Sequence, residues 1–469
     1  MIQGSRVKAL NDRPVDASRK YVLYWMQQSQ RTQTNHALEY AIEQANELDK
    51  SVVVGFGLMD NYPEATERHY AFMVEGLCDV ANALAQRGIA FVVRHGTPGD
   101  VALSLAKEAA LVVCDRAYLR HLREWRTRVA REAKVRVVQV EADVVVPVDV
   151  ASNKHETAAR TLRPKIHCVW DEYLVPLKAS KVKHRADVLK LKNDFDVTNV
   201  DATLKKLTFD RSVKRSPVFT GGQVAAQKRF EHFVEKRLAN YAEGRNEPAA
   251  GQSSQMAPYL QYGQISPLDL ALPVCDAKHI PGADRESFLE ELIVRRELAH
   301  NYTEFNGRYD SFQGLPNWAQ QSLHAHAKDK RPTLYSREQL ETAQTADAYW
   351  NAAQMEMVLT GFMHNYMRMY WGKKVLEWTA TPEEAFELLL RLNNRYFLCG
   401  LNSNSYGNVA WIFGQHDRPW GPERNIFGLV RYMNAAGLER KFDIRDYVVK
   451  IDDLSRELTG KGIRTSVLF

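Results

Sequence analysis

The chain has 469 residues, 45% of them hydrophobic and 26% charged, the composition of an ordinary globular protein with room for two to four domains. No run approaches the ~18 consecutive apolar residues that span a bilayer, which excludes a helical membrane protein. The stretch MIQGSRVKALNDRPVDASRK lacks the apolar centre of a signal peptide, so secretion is not expected. Cys78, Cys114, Cys168, Cys275 and Cys399 are odd in number and never spaced as CxxC, which argues for reduced thiols and against a cysteine-based metal site. Net charge is +6, yet residues 151–240 hold 19 Lys/Arg against 10 Asp/Glu, a local excess of nine. A basic stretch suits a polyanion; a solvated linker accounts for it equally well.

Five short apolar runs follow in order, Tyr21–Met26, Ser51–Leu58, Ile89–Arg94, Leu111–Asp115 and Val135–Val140, with helical stretches between them. Nearly continuous apolar strands alternating with helices predict a doubly wound α/β domain with a parallel sheet, whose ligands bind at the carboxyl ends of the strands. Gly55-Phe56-Gly57 lacks the third glycine of GxGxxG, since Asp60 stands there, and no GxxxxGK[ST] loop exists. A nicotinamide dehydrogenase and a nucleoside triphosphatase are therefore rejected, and the GxG reads as a tight turn after a strand. Residues 141–215 read as a long connection, with KNDFDVTNVDATLKK its mobile part. Beyond Ser216 the apolar period is helical almost throughout, and Thr381-Pro382 with two following glutamates carries a helix start. The boundaries expected are 1–145 for the α/β domain, 146–215 for a linker and 216–469 for a helical domain.

Several residues in the helical half could carry chemistry. Trp371 and Trp378 lie seven apart on one helix face, with Trp350 upstream, spacing that suits either electron hopping or aromatic core packing. Asn365 and Arg368 share another face and need buried partners, a cofactor or an acidic side chain. FLEELIVRREL offers a glutamate for proton or hydrogen-bond chemistry among ordinary i,i+4 pairs. The turn-rich stretch NSNSYGNVAWIFGQHDRPWGPER mixes Trp411 and Trp420 with basic groups, as base-stacking surfaces do. Its His416-Asp417 lacks the companions of a triad or metal site.

Taken together, YWMQQSQRTQTNHAL, KHETAARTLRPK, RNEP with SSQMAPYLQYGQIS, EELIVRREL, YWNAAQMEMVLTGFMHNYMRMYWGKKVLEW, LNNRY, AWIFGQHDRPWGPER and VRYMNAAGLERKFD resemble the class II cyclobutane pyrimidine dimer photolyases of the photolyase/cryptochrome superfamily. The resemblance runs over nearly the whole chain. It implies an α/β antenna domain, a helical FAD-binding domain, and light-driven splitting of pyrimidine dimers in double-stranded DNA by an electron from reduced FAD. By resemblance, Ser253, Ser254 and the Met256 backbone hold the FAD phosphates with Tyr241 nearby, Asn365 and Arg368 contact the flavin, and Asn393 lies near its N5. Trp350, Trp371 and Trp378 would be the photoreduction relay. Glu291 would hydrogen-bond a thymine carbonyl, with Arg245, Asn246, Met369 and Trp411 lining the dimer pocket. Trp420 and Arg431 would fill the duplex after the dimer flips out, a step cheapest at a damaged site. A deazaflavin antenna is the family's choice of second chromophore. No metal and no membrane are expected, and the protein reads as a monomer of the cytoplasm, or of the nucleus in a eukaryote.

One segment departs from the family pattern. LCGLNSNSY replaces the usual LDGRDPNGY, so Cys399 stands where an aspartate would pair with Arg368, and Leu401 and Asn402 replace an Arg-Asp pair. Asp417 is the candidate substitute partner. The same departure supports an alternative, a photolyase-like flavin photoreceptor of the cryptochrome kind without repair activity. A light-independent nucleic-acid-binding protein that has lost flavin is a third reading.

Overall fold

The computed structural model describes residues 2–186 and 189–463. Six strands, β1 (Val7–Ala9), β2 (Tyr21–Trp25), β3 (Ser51–Leu58), β4 (Ala90–His95), β5 (Ala109–Asp115) and β6 (Val137–Val140), form one sheet in the order β1-β6-β5-β2-β3-β4. All neighbours are parallel except β1, which pairs antiparallel with β6 and went unseen in the sequence because it is three residues long. Every residue of β2, β3, β5 and β6 is buried, as strands covered on both faces must be. The chain reverses its direction of winding between β2 and β5, where an open α/β sheet leaves a crevice. Here Asp115 closes that crevice, accepting from the backbone N–H groups of Gln27, Gln28 and Ser29 at 2.8, 2.5 and 2.7 Å.

Three local expectations change. Gly55 and Gly57 lie inside β3 rather than in a turn. Gly57 is there for close approach: a Cβ would sit 2.6 Å from Pro98 Cα at the start of the helix Pro98–Ala106. The segment Lys192–Lys206, expected to be mobile, is packed: Phe195, Val197 and Leu204 join the core on one sheet face. Its Asn193 and Asp194 bond the backbone of Val93, so it covers the outer edge of β4. Finally, the turn-rich stretch after Leu401 begins with a helix, Ser403–Ile412. Asn402 caps it in a box with Ser405, and its buried Gly407, Val409 and Ala410 pack inward.

The rest of the chain is helical, and its two longest predicted runs are interrupted. Gly361, at φ 81°, breaks one into Ala348–Thr360 and Asn365–Trp378, which pack on each other. The other widens into a π-helical turn, Glu290–Arg295, between the helices Gly282–Leu289 and Arg296–Phe305. Such turns are rare and concentrate at functional sites. Thr381 caps the helix Pro382–Tyr396 as expected, accepting from the Glu384 N–H.

Candidate active site

The π turn, the helix Asn365–Trp378 and the segment before the short helix Ala257–Gln261 enclose a cleft of about 1160 Å3, mouth included. Tyr241, Ser253, Ser254, Met256, Glu291, Asn365 and Arg368, far apart in sequence, all line it, together with Cys399 and Asn402. Gln255, Arg295, Arg296, Asn404 and Asn408 also line it and were missed. Of these Gln255, at φ 56° beside the serines, was the most legible. Three arginines against one glutamate make the wall basic. Arg296 is tied back to Asp143, to its carboxylate at 2.7 Å and its carbonyl at 2.8 Å, which fixes the end of the π turn.

Glu291 lies on the wide turn and pairs with Arg245 at 2.8 Å. Burial works against the Arg245 guanidinium, but Glu291 and Tyr241 together outweigh it and hold the Arg245 pKa above its ordinary value. Beside them Tyr241 is pushed up to about 12 by burial, so it remains a neutral phenol. Asn246 is half-buried next to Arg245 but lines no cavity described here.

Arg368 has no carboxylate partner among the described residues. Its guanidinium lies 3.8 Å from the Phe397 ring centroid and donates to Cys399 Sγ at 3.5 Å, while its buried Nε has no partner. The expected substitute, Asp417, does not reach it. Asp417 instead accepts from Arg431 at 2.9 and 3.2 Å and from Trp420 Nε1 at 3.1 Å. The reason is local, because Asp417 lies in the turn that also presents Trp420. Asn393 does not line the cleft either. It is buried behind Cys399-Gly400, where a Cβ on Gly400 would stand 3.0 Å from its carbonyl, and its amide donates to Asn394 Oδ1 at 3.3 Å.

The three tryptophans are buried and in sequence. Trp371 faces Phe397 at 6.3 Å between centroids, and its Nε1 donates to Gln354 at 2.8 Å. Trp350 Nε1 donates to the Trp371 carbonyl at 2.9 Å, and the Trp350 and Trp378 rings meet edge to face at 5.5 Å. Contacts thus link Arg368, Phe397, Trp371, Trp350 and Trp378 in that order.

A groove opens on another side of the helix Asn365–Trp378. Tyr366 and Met369, three apart like Asn365 and Arg368 but rotated one position, line it with Trp411, Trp420, Arg424 and Arg431. Trp420 is held between Arg431 and Arg418, at 4.1 and 4.5 Å from its ring centroid. Behind the groove the fully buried Lys373 donates to the Ile412 carbonyl and lies 5.5 Å from the Trp411 ring; burial lowers its pKa to about 7. Among the described residues no group of three or more His, Cys, Asp or Glu could hold a metal, and no helix is long and apolar enough to cross a membrane. His416 has no catalytic companions; its Nδ1 lies 3.2 Å from the Thr157 carbonyl.

The DNA photolyase family pattern matches residues 22–182. A deoxyribodipyrimidine photo-lyase of Methanothermobacter thermautotrophicus is 46% identical over 457 residues, 97% of this chain and all of that protein. One from Arabidopsis thaliana is 36% identical over 97% of this chain and 94% of its own length. Among solved structures, a class III photolyase from Agrobacterium tumefaciens superposes with a TM-score of 0.73 at 18% identity, covering 93% of this chain and 87% of its own. An archaeal photolyase from Sulfolobus tokodaii, solved with two FAD molecules, superposes at 0.67 and 15% identity over 94% of this chain and 89% of its own. On sequence, fold and arrangement together, the chain belongs to the deoxyribodipyrimidine photo-lyase family, lyases of DNA photorepair.

Proposed function

We propose that the cleft binds FAD and that a pyrimidine dimer flipped out of duplex DNA is received between the cleft, at Glu291 and Arg245, and the groove beside it on the helix Asn365–Trp378, at Met369 and Trp411. The observation that carries this is the shared helix: Asn365 and Arg368 line the cleft while Met369, one residue on, lines the groove. The residues fit the cofactor. The cleft wall is basic, and the buried Arg368 Nε asks for an acceptor that the described residues do not supply. Ser253, Ser254 and the backbone at Met256 would hold phosphates, with Arg295 adding charge. Asn365 and Arg368 would hydrogen-bond the ring system, and Asn393 would act from behind Cys399. What fully reduced FAD supplies when bound is light-driven donation of one electron to the dimer.

The protein's own groups prepare that event. Arg245 and Glu291 present a hydrogen-bonding pair at the cleft, beside Asn246, where charge develops on a thymine carbonyl. The Arg245 guanidinium, donating to Glu291 at 2.8 Å, has further N–H groups that would meet a carbonyl. Trp371, Trp350 and Trp378 keep ring or hydrogen-bond contact from the cleft wall outward, a geometry suited to short electron hops. Trp411 and Met369 would flank the dimer, and Trp420 with Arg431 would fill the vacated duplex. A separate, mostly apolar cavity beyond the carboxyl ends of β2 and β3, lined by Met26, Leu58, Tyr62, Trp125 and Tyr262, would take the antenna, a deazaflavin. The protein would act as a monomer, in the cytoplasm or a nucleus. Equilibrium binding tests the groove: reduced, flavin-loaded protein should bind a duplex with one thymine dimer more tightly than the undamaged duplex. Equal affinities would refute it.

A further inference from the structure

A second basic cavity, of about 880 Å3 with its mouth included, lies on the α/β half between β1 and the helix Arg120–Glu132. Lys8, Arg116, Arg123, Arg126 and Arg131 line it against a single lining carboxylate, Glu304. That carboxylate is engaged through one oxygen, by Arg116 at 3.2 Å and Arg123 at 3.9 Å, its other oxygen having no hydrogen-bond partner; Arg116 is further paired with Asp149 at 3.0 Å and Glu141 at 3.4 Å, and Arg131 with Glu132 at 2.9 Å. Arg126 is different. It is 7% exposed, makes one hydrogen bond, from Nη1 to the Ala117 carbonyl at 2.8 Å, and has no ion pair among the described residues. Next to it Gln139, 6% exposed, bonds nothing through its side chain among the described residues. Lys8 and Arg126 are thus left without an ion pair among the described residues, while Arg116, Arg123 and Arg131 are paired. Burial, with Arg116 and Arg123 nearby, lowers the Arg126 pKa from its ordinary value. A buried guanidinium needs acceptors for its donors, and Arg126, unlike the likewise buried Arg31 and Arg68, which bond several backbone carbonyls, has one.

We infer that this cavity binds a small molecule carrying a di- or triphosphate, with Arg126 and Gln139 at its floor and Lys8 and Arg131 at its mouth. Depth favours a small ligand over a nucleic-acid backbone. Arg126 and Gln139 are 7% and 6% exposed, whereas a duplex meets side chains that protrude. The unpaired Lys8 and Arg126, with the donors that Arg123 and Arg131 keep free beside their single ion pairs, call for more than one phosphate. The site is separate from the cleft and the groove, and shares no lining residue with either.

The test is calorimetric titration of the full-length, flavin-loaded protein with ATP and with tripolyphosphate at physiological salt. One saturable site is expected for both, at least tenfold weaker in Arg126→Met and several-fold weaker in Lys8→Ala, with light-driven repair unchanged in each variant. Lys8 is exposed on an edge strand, so Lys8→Ala remains decisive if Arg126→Met fails to fold. Absence of saturable binding, or wild-type affinity in Lys8→Ala or in a folded Arg126→Met, would overturn the inference. So would displacement of ATP by undamaged duplex, which would make the cavity a DNA contact.

Discussion

Replacing Glu291 separates hydrogen bonding from charge at the proposed site of electron acceptance. In Glu291→Ala, Arg245 loses a partner at 2.8 Å, and the cleft loses the group placed at the dimer carbonyl. The pair is 23% and 33% exposed, so its share of folding stability is screened and amounts to about 1 kcal/mol. The effect on reaction is larger. A charge-assisted hydrogen bond of about 1.5–3 kcal/mol, made as charge develops, corresponds to about ten- to hundredfold in rate. Glu291→Gln keeps an N–H that can donate without titrating, and should lose less than about threefold. The assay is repair of a dimer-containing oligonucleotide per absorbed photon by chemically reduced protein, alongside flavin retention and thermal melting. Alanine should cut the yield about tenfold while flavin stays bound and melting falls by a few degrees at most. An unchanged alanine yield would remove Glu291 from the mechanism. Glutamine falling as far as alanine would show that the carboxylate's charge matters rather than a donated hydrogen bond.

Further outcomes follow from other contacts. Trp371→Phe removes the hydrogen bond to Gln354 and should cost about 1–3 kcal/mol; it should abolish flavin photoreduction yet spare repair by chemically reduced protein, and normal photoreduction would mean that the relay is misassigned. Cys399→Asp would give Arg368 the carboxylate it lacks, and should slow flavin release and raise the melting temperature; no change in either would mean that Arg368 is already satisfied. Burial lowers His69, His121 and His364 to about 4 each, so the unfolded chain binds their protons first. The stability they confer is present above about pH 6.5 and is lost as pH falls towards 4, by up to about 3 kcal/mol each. Glu297, pushed up to about 8 by burial, and the buried carboxylates of Asp115, Glu141, Asp269 and Glu356, also raised by burial, oppose this, while His36, His155 and His416, lowered by burial, add to it. Melting temperature should therefore drop between pH 6.5 and 4.5, and a flat profile would contradict the burial of these imidazoles.

Much of this was legible in the residues. The strands were readable because burial on both sheet faces leaves a continuous apolar run, and the helix at Thr381 because its cap is local chemistry. The cleft residues came from motifs rather than from periodicity: Ser253, Glu291 and Arg368 meet only through tertiary packing, which no local pattern encodes. What escaped was non-local or subtle. Gly57 reads as a turn until Pro98 is seen against it. Lys192–Lys206 is polar in composition, but two aromatic or branched residues, Phe195 and Val197, suffice to seat it on the sheet. The π turn is six residues long, and the one-residue slip it puts in the apolar period is too brief to read between two helical runs. Asp417 was a reasonable partner for Arg368 on chemistry alone; Arg431, fourteen residues further on, claims it.

The most direct test of the account is repair of a thymine-dimer oligonucleotide by flavin-loaded, reduced protein under blue light and in the dark. Restoration of the thymines under light and none in the dark is the predicted result, and it would show that Cys399 is tolerated beside Arg368 in a working site. Bound, reduced flavin with no repair under light would contradict the account and favour the photoreceptor reading.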